Sequence, residues 1–183
     1  KGDIDRTLGY NVSEFTADPD FQILHNPTHD VQITWILHST FLVQLGTQYQ
    51  ILIDPVLESI DGYVGFLMQF ADTFELQASP PVSIEDINSF FKTTKRKNVL
   101  AISHDHFDHL DRPTIERLSK TGVQFIVPLG VGSHLRDWGI SQSQYVELDW
   151  WQSFELGHLT ITATPARHFS GRSLTMADRD KTL

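Results

Sequence analysis

The run His104-Asp105-His106-Phe107-Asp108-His109 gathers three histidines and an aspartate, at His104, His106, Asp108 and His109, within six residues. Neutral imidazole and carboxylate are donors that zinc and similar divalent ions accept, and the chain has no cysteine to offer thiolate instead. The spacing sharpens the reading. His104 and His106 stand two apart, so in extended backbone their side chains project to the same side. Asp108 and His109 are adjacent, so they diverge and can reach a second ion beside the first. A polar turn whose histidines merely cluster is the weaker explanation, because four such donors so close together rarely serve packing alone.

Other residues are less telling by themselves. His168 lies in a loop between Arg167 and Phe169, with Gly171 close behind. As a lone histidine it reads first as a surface or capping side chain. Asp54 precedes Pro55, which is ordinary turn chemistry. His38 starts a strand beside Ser39 and reads as a buried, hydrogen-bonded imidazole. His25 and His29 fall in loops, His134 in a helix and His158 in a turn, and all four read as structural or surface residues. Trp150 and Trp151 are neighbours, and in extended backbone they point apart, so at least one is expected in the core.

The elements that must position these groups follow from pattern. The first thirty residues, the expected N-terminal arm (1–30), mix Gly9, Pro19 and Pro27 with scattered acids and suggest little regular structure. From Val31 the pattern predicts a three-stranded meander through Thr40–Leu45 and Gln50–Ile53, with a turn at Gly46-Thr47-Gln48. Asp54-Pro55 stops it. Ser83 with Glu85 and Asp86 marks a helix start. Lys95-Arg96-Lys97 reads as its solvated end. Val99–Ile102 is a short apolar strand of the buried parallel type, and the histidine run sits at its carboxyl end, where α/β folds place ligands. Asp111 caps a helix from Arg112 to Lys120, with Pro113 in its first turn. A strand at Gln124–Val127, a helix at Gly132–Trp138 and strands at Tyr145–Leu148 and Leu159–Thr164 complete an α/β order. The segment between Val56 and Pro81 is hard to read. Its apolar stretch 63–74 would suit acyl chains or a membrane surface, or equally a buried helix or dimer contact.

Composition bounds the rest. The 183 residues suffice for one domain with a sizeable core, and 40% apolar with 20% charged content is ordinary for a globular protein. A formal charge of −9 disfavours nucleic acid as a partner. No stretch approaches the ~18 uninterrupted apolar residues of a membrane span. The compartment stays open.

The His104–His109 run matches the His-x-His-x-Asp-His signature of the metallo-β-lactamase superfamily. More closely, the chain resembles the branch containing the phospholipase D that hydrolyses N-acyl phosphatidylethanolamines. The matching pieces are Thr34-Trp35 through His38-Ser39-Thr40, Leu52-Ile53-Asp54-Pro55, Ile102-Ser103-His104 through Leu110-Asp111, Val127-Pro128-Leu129-Gly130, Glu147-Leu148-Asp149-Trp150-Trp151 and Thr164-Pro165-Ala166-Arg167-His168. The resemblance implies an α/β fold, the αββα sandwich, with a two-ion zinc centre, other divalent metals being admissible. It places His104, His106 and His168 on one ion and Asp108 and His109 on the other, the latter pair nearest the chemistry. Asp54 would steady the ligand loop from behind, with His38 in a similar supporting position. The implied activity is metal-dependent hydrolysis of a phosphodiester or ester bond, phospholipase-D-like, by a metal-activated hydroxide on a small-molecule or lipid substrate. A lactone hydrolase of the same superfamily is the alternative. The family usually has glycine where this chain has Leu37, a change expected to alter the loop beside His38. Its bridging aspartate and last metal histidine match nothing here, so residues 31–183 are expected to be the N-terminal portion of the domain. A missing C-terminal half, or a homo-oligomer, would complete it, and alone the chain would be an inactive, non-catalytic metal-binding fragment.

Overall fold

The computed structural model describes residues 18–58 and 80–172. The apolar stretch 63–74, with its expected membrane contact, lies outside the described residues. Within the expected arm, Phe21–His25 forms a short helix, α1, where the sequence suggested irregular chain. Asp20 explains it: its carboxylate accepts from the N–H groups of Gln22 and Ile23 and closes the first turn. His25 therefore ends a helix rather than lying in a loop.

Val31–Leu37 (β1), Thr40–Leu45 (β2) and Tyr49–Ile53 (β3) form the expected antiparallel meander. Next come Ile84–Thr93 (α2) and Lys97–Ala101 (β4), followed by Arg112–Ser119 (α3) and Gln124–Pro128 (β5). Gly132–Asp137 (α4) and Tyr145–Leu148 (β6) lead to a hairpin of Ser153–Leu156 (β7) and Leu159–Thr162 (β8). Strands β1 to β6 make one sheet in sequence order, parallel from β3 onward, and β7–β8 a second. Lys97, expected in a solvated helix end, instead opens β4, and Arg96 donates to the carbonyls of Gly46 and His25.

One face of the large sheet is covered by helices. Leu42, Leu52, Leu100 and Phe125 pack there with Ile87 and Phe90 of α2, Ile115 and Leu118 of α3 and Leu135 of α4. Capping fixes where the first two helices begin. Ser83 and Asp86 form a reciprocal capping box on α2, and Asp111 accepts from Thr114 N at 3.2 Å on α3. The opposite face is covered by the hairpin, whose Phe154, Leu156, Leu159 and Ile161 meet Ile51, Val99, Ile126 and Leu148. Helices, sheet and hairpin sheet thus stack in the order of the α/β sandwich that the resemblance implies. The hairpin does not extend over β1. Val31, Ile33 and Trp35, apolar and alternating, remain exposed on that strand, while alternation turns Ile36 to the opposite face and into the helix-side core.

Trp150 and Trp151 are both exposed, at 46% and 71%, contrary to the expectation that one enters the core. The premise of extended backbone fails there. Residues 149–152 turn sharply between β6 and β7, and Trp151 takes φ +67°.

Candidate metal centre

Strand β4 ends at Ala101, and the chain beyond it runs without helix or strand through His106 before tightening into one turn. The carbonyl of His106 accepts from both His109 N and Leu110 N, at 3.1 and 2.8 Å. Leu110 is fully buried and anchors that turn. The result is the alternation expected for His104 and His106, followed by a turn that swings Asp108 and His109 alongside.

Asp54 organises this loop from the end of β3. Its Oδ1 accepts from Ser103 N at 2.7 Å, and its Oδ2 accepts from Ser103 Oγ at 2.5 Å and from His109 Nδ1 at 2.8 Å. A carboxylate only accepts, so the Ser103 hydroxyl spends its proton on Asp54. Ser103 Oγ, 2.9 Å from His104 Nδ1, must then accept from that ring. Both His104 and His109 consequently carry their proton on Nδ1 and keep an unprotonated Nε2 for another partner. His104 Nε2 is buried and has no hydrogen-bond partner, which is costly for a polar atom unless something binds it.

His168 arrives from the loop after β8 and completes a cluster. The rings of His104, His106 and His168 have centroids 4.5 to 4.6 Å apart and lie steeply inclined to one another. One nitrogen from each falls within 4.8 Å of the others. His106 Nδ1 and His168 Nε2 are 3.3 Å apart. Two nitrogens bound tetrahedrally to zinc at about 2.0–2.1 Å would stand about 3.3–3.4 Å apart, so the donor set fits such an ion. A second cluster joins His38, Asp108 and His109 by the same criterion, with His38 Nε2 3.1 Å from Asp108 Oδ2.

His38 is thus no buried imidazole at a strand start. It sits in the β1–β2 turn at φ +46°, half exposed, with its carbonyl fixed by Trp35 Nε1 at 2.8 Å. The structure brings its Nε2 to Asp108 Oδ2. Leu37, expected to alter the loop beside His38, packs partly against the helix-side core.

Electrostatics favour the neutral form of His104 and His106. Burial, reinforced by His109, His106 and His168, depresses His104 to about 4. His106 is lowered mainly by burial and then by His168. For His109 burial acts downward, but the hydrogen bond and charge of Asp54 outweigh it and raise the pKa. Neutral imidazoles are the form that binds metal.

Several contributors escaped the sequence reading. Ser103 sets the His104 tautomer, Gly171 makes room for His106, and Asp105 binds the His168 loop. A legible signal existed for Asp105: alternation places it opposite His104 and His106, so a carboxylate between two outward donors must point inward. It is fully buried. Burial alone would raise its pKa, yet the His134 imidazole, Ser170 Oγ and Gly171 N–H hold it at about 2. His134, expected to be a structural or surface residue, faces this carboxylate at 3.8 Å.

Fold and site together define an α/β protein with a three-histidine cluster and a histidine-and-carboxylate cluster at the carboxyl edge of a parallel sheet, suited to divalent ions. A family model described as a beta-lactamase superfamily domain matches residues 49–183, and the chain belongs to that family. An uncharacterized protein of Mycobacterium tuberculosis is 41% identical over 148 residues, covering 78% of this chain and 35% of its own length. The N-acyl-phosphatidylethanolamine-hydrolyzing phospholipase D 1 of Caenorhabditis elegans is 28% identical, covering 77% of this chain and 38% of its own. The mitochondrial enzyme so described in Saccharomyces cerevisiae is 34% identical over 121 residues, covering 62% and 25%. The diiron beta-hydroxylase CmlA of Streptomyces venezuelae superposes with TM-score 0.50 over 86% of this chain and 27% of its own, at 22% identity, a likeness of fold. The chain therefore spans little more than a third of the first two of these relatives.

Proposed function

We propose that this chain supplies the metal-binding residues of a metal-dependent hydrolase of phosphodiester or ester bonds, phospholipase-D-like in its chemistry. The observation that carries the proposal is the pair of convergent donor clusters, His104, His106 and His168 beside Asp108, His109 and His38. The orphaned His104 Nε2 supports it, as do the two relatives described as phospholipases D. In this reading the first three histidines hold one ion, zinc suiting an all-imidazole set, and Asp108 and His109 contribute to a second. Bound there, divalent ions supply Lewis acidity, acidifying water and polarising the bond to be cleaved.

The chain's own residues do the positioning. Asp54 and Ser103 lock two imidazoles in the tautomer that presents Nε2. Asp108 and His109 stand nearest the attacked group, and His38, at the more open side, is placed to steady Asp108 or meet a substrate oxygen. A small-molecule or lipid ester is the proposed substrate.

The test is metal content by elemental mass spectrometry on full-length protein purified without chelator or a histidine tag, with turnover of a generic phosphodiester in parallel. One or two ions per chain, lost together with the rate in His106→Ala, is the expected result. Wild-type metal and rate in that variant would overturn the ligand assignment.

A further inference from the structure

His106 and His168 meet although 62 positions separate them, and the loop that delivers His168 contains no helix or strand. Something must hold it. The hairpin before it packs on the far face of the sheet and fixes only its entry, through Trp151 N to Ala163 O at 2.7 Å and Ala163 N to Gln152 O at 3.0 Å. Beyond His168 the chain is fastened to the histidine run itself. Ser170 Oγ donates to Asp105 Oδ2, and Gly171 N donates to Asp105 Oδ1 at 3.4 Å. The Arg172 guanidinium donates to Asp105 O at 2.9 Å and to Leu110 O at 2.8 Å, with its plane over the Phe107 ring. Asp105 and Ser170 are both fully buried.

We propose that Asp105 is a positioning residue whose two carboxylate oxygens clasp Ser170 and Gly171, and so set the His168 imidazole against His106 and tune the ion affinity of the three-histidine cluster. This rests on the metal-centre reading above. The geometry explains why the residue between the two histidines is an aspartate. It needs two acceptors facing inward, one for a hydroxyl and one for a backbone N–H, on a side chain short enough to fit beneath the turn. An amide of the same shape has one acceptor and presents N–H groups to the second donor. Outer partners of this kind typically change metal affinity about 10–100-fold when removed.

The experiment titrates metal-free, full-length protein with Co2+ alone, reading affinity by chelator competition and coordination by visible absorption. Wild type, His106→Ala, Asp105→Asn and Ser170→Ala are compared with Ser83→Ala, a helix-cap variant that touches neither cluster. Asp105→Asn and Ser170→Ala are expected to weaken one cobalt site about 10–100-fold and alter its absorption. The Ser83→Ala variant, less stable but with an intact clasp, is expected to bind as wild type does. Wild-type affinity and spectrum in both clasp variants, with binding lost in His106→Ala, would overturn the clasp and leave the metal centre standing. A wild type that takes up no cobalt would overturn both.

Discussion

Asp54 reaches two imidazoles by different routes, one directly and one through Ser103, and their proton affinities diverge accordingly. His104, buried among other histidines, is depressed to about 4, while His109, hydrogen-bonded to the Asp54 carboxylate, is raised. In the metal-free protein, histidine NMR titration is expected to place His104 near 4 and His109 above its ordinary 6.5. The consequences for stability have opposite signs. The lowered His104 contributes stability at pH above 6.5 that is lost as pH falls through about 4. The raised His109 contributes below 6.5 and loses that contribution as pH rises through its elevated pKa. Asp54→Asn is expected to bring the His109 titration down while leaving His104 low, and an unmoved His109 would refute the pairing. Space matters as much as charge. A Cβ at Gly171 would lie 2.5 Å from His106 Nε2, so Gly171→Ala must push that ring out of its cluster. A loss of about tenfold or more in divalent-ion affinity by chelator competition is expected.

At the scale of elements, the ligand loop is held between a strand end and a helix cap. Asp111 starts α3 directly after Leu110, so the turn carrying Asp108 and His109 is bounded by buried anchors on its carboxyl side. Ser83 caps the neighbouring α2, away from both donor clusters. Its replacement by alanine is expected to cost about 1 kcal/mol, lowering the thermal midpoint by about 2–4 °C for a chain of this size. Metal stoichiometry should stay unchanged. A lost ion in that variant would mean that helix and site are more tightly coupled than the packing indicates.

Across the whole molecule the sheet's two faces differ. Helices bury one face continuously, whereas the β7–β8 hairpin covers the other only toward β3–β6. Leu100 has no exposed surface and Ile33 is 64% exposed. In the 183-residue chain, Leu100→Ala is expected to cost about 2–5 kcal/mol, and Ile33→Ser to stay within about 0.5 kcal/mol. Urea denaturation distinguishes these, and comparable losses would show that the β1 face is covered in solution. No helix among the described residues is long and apolar enough to cross a membrane.

The sequence by itself determined the elements and the heart of the site. Alternation, caps and turn residues marked the meander, the capped helices and the parallel strands, because these signals are local and act within a few residues. The dense donor run His104–His109 was legible for the same reason. What only the tertiary structure decided involves partners far apart in the chain. Asp54 against His109, His38 against Asp108, and Asp105 against Ser170 are meetings that no window of the sequence contains. The two tryptophans were misread because a turn, not a strand, carries them. Spacing revealed which residues could bind an ion and the family resemblance added His168; folding chose the tautomers and the contacts that hold the third histidine in place.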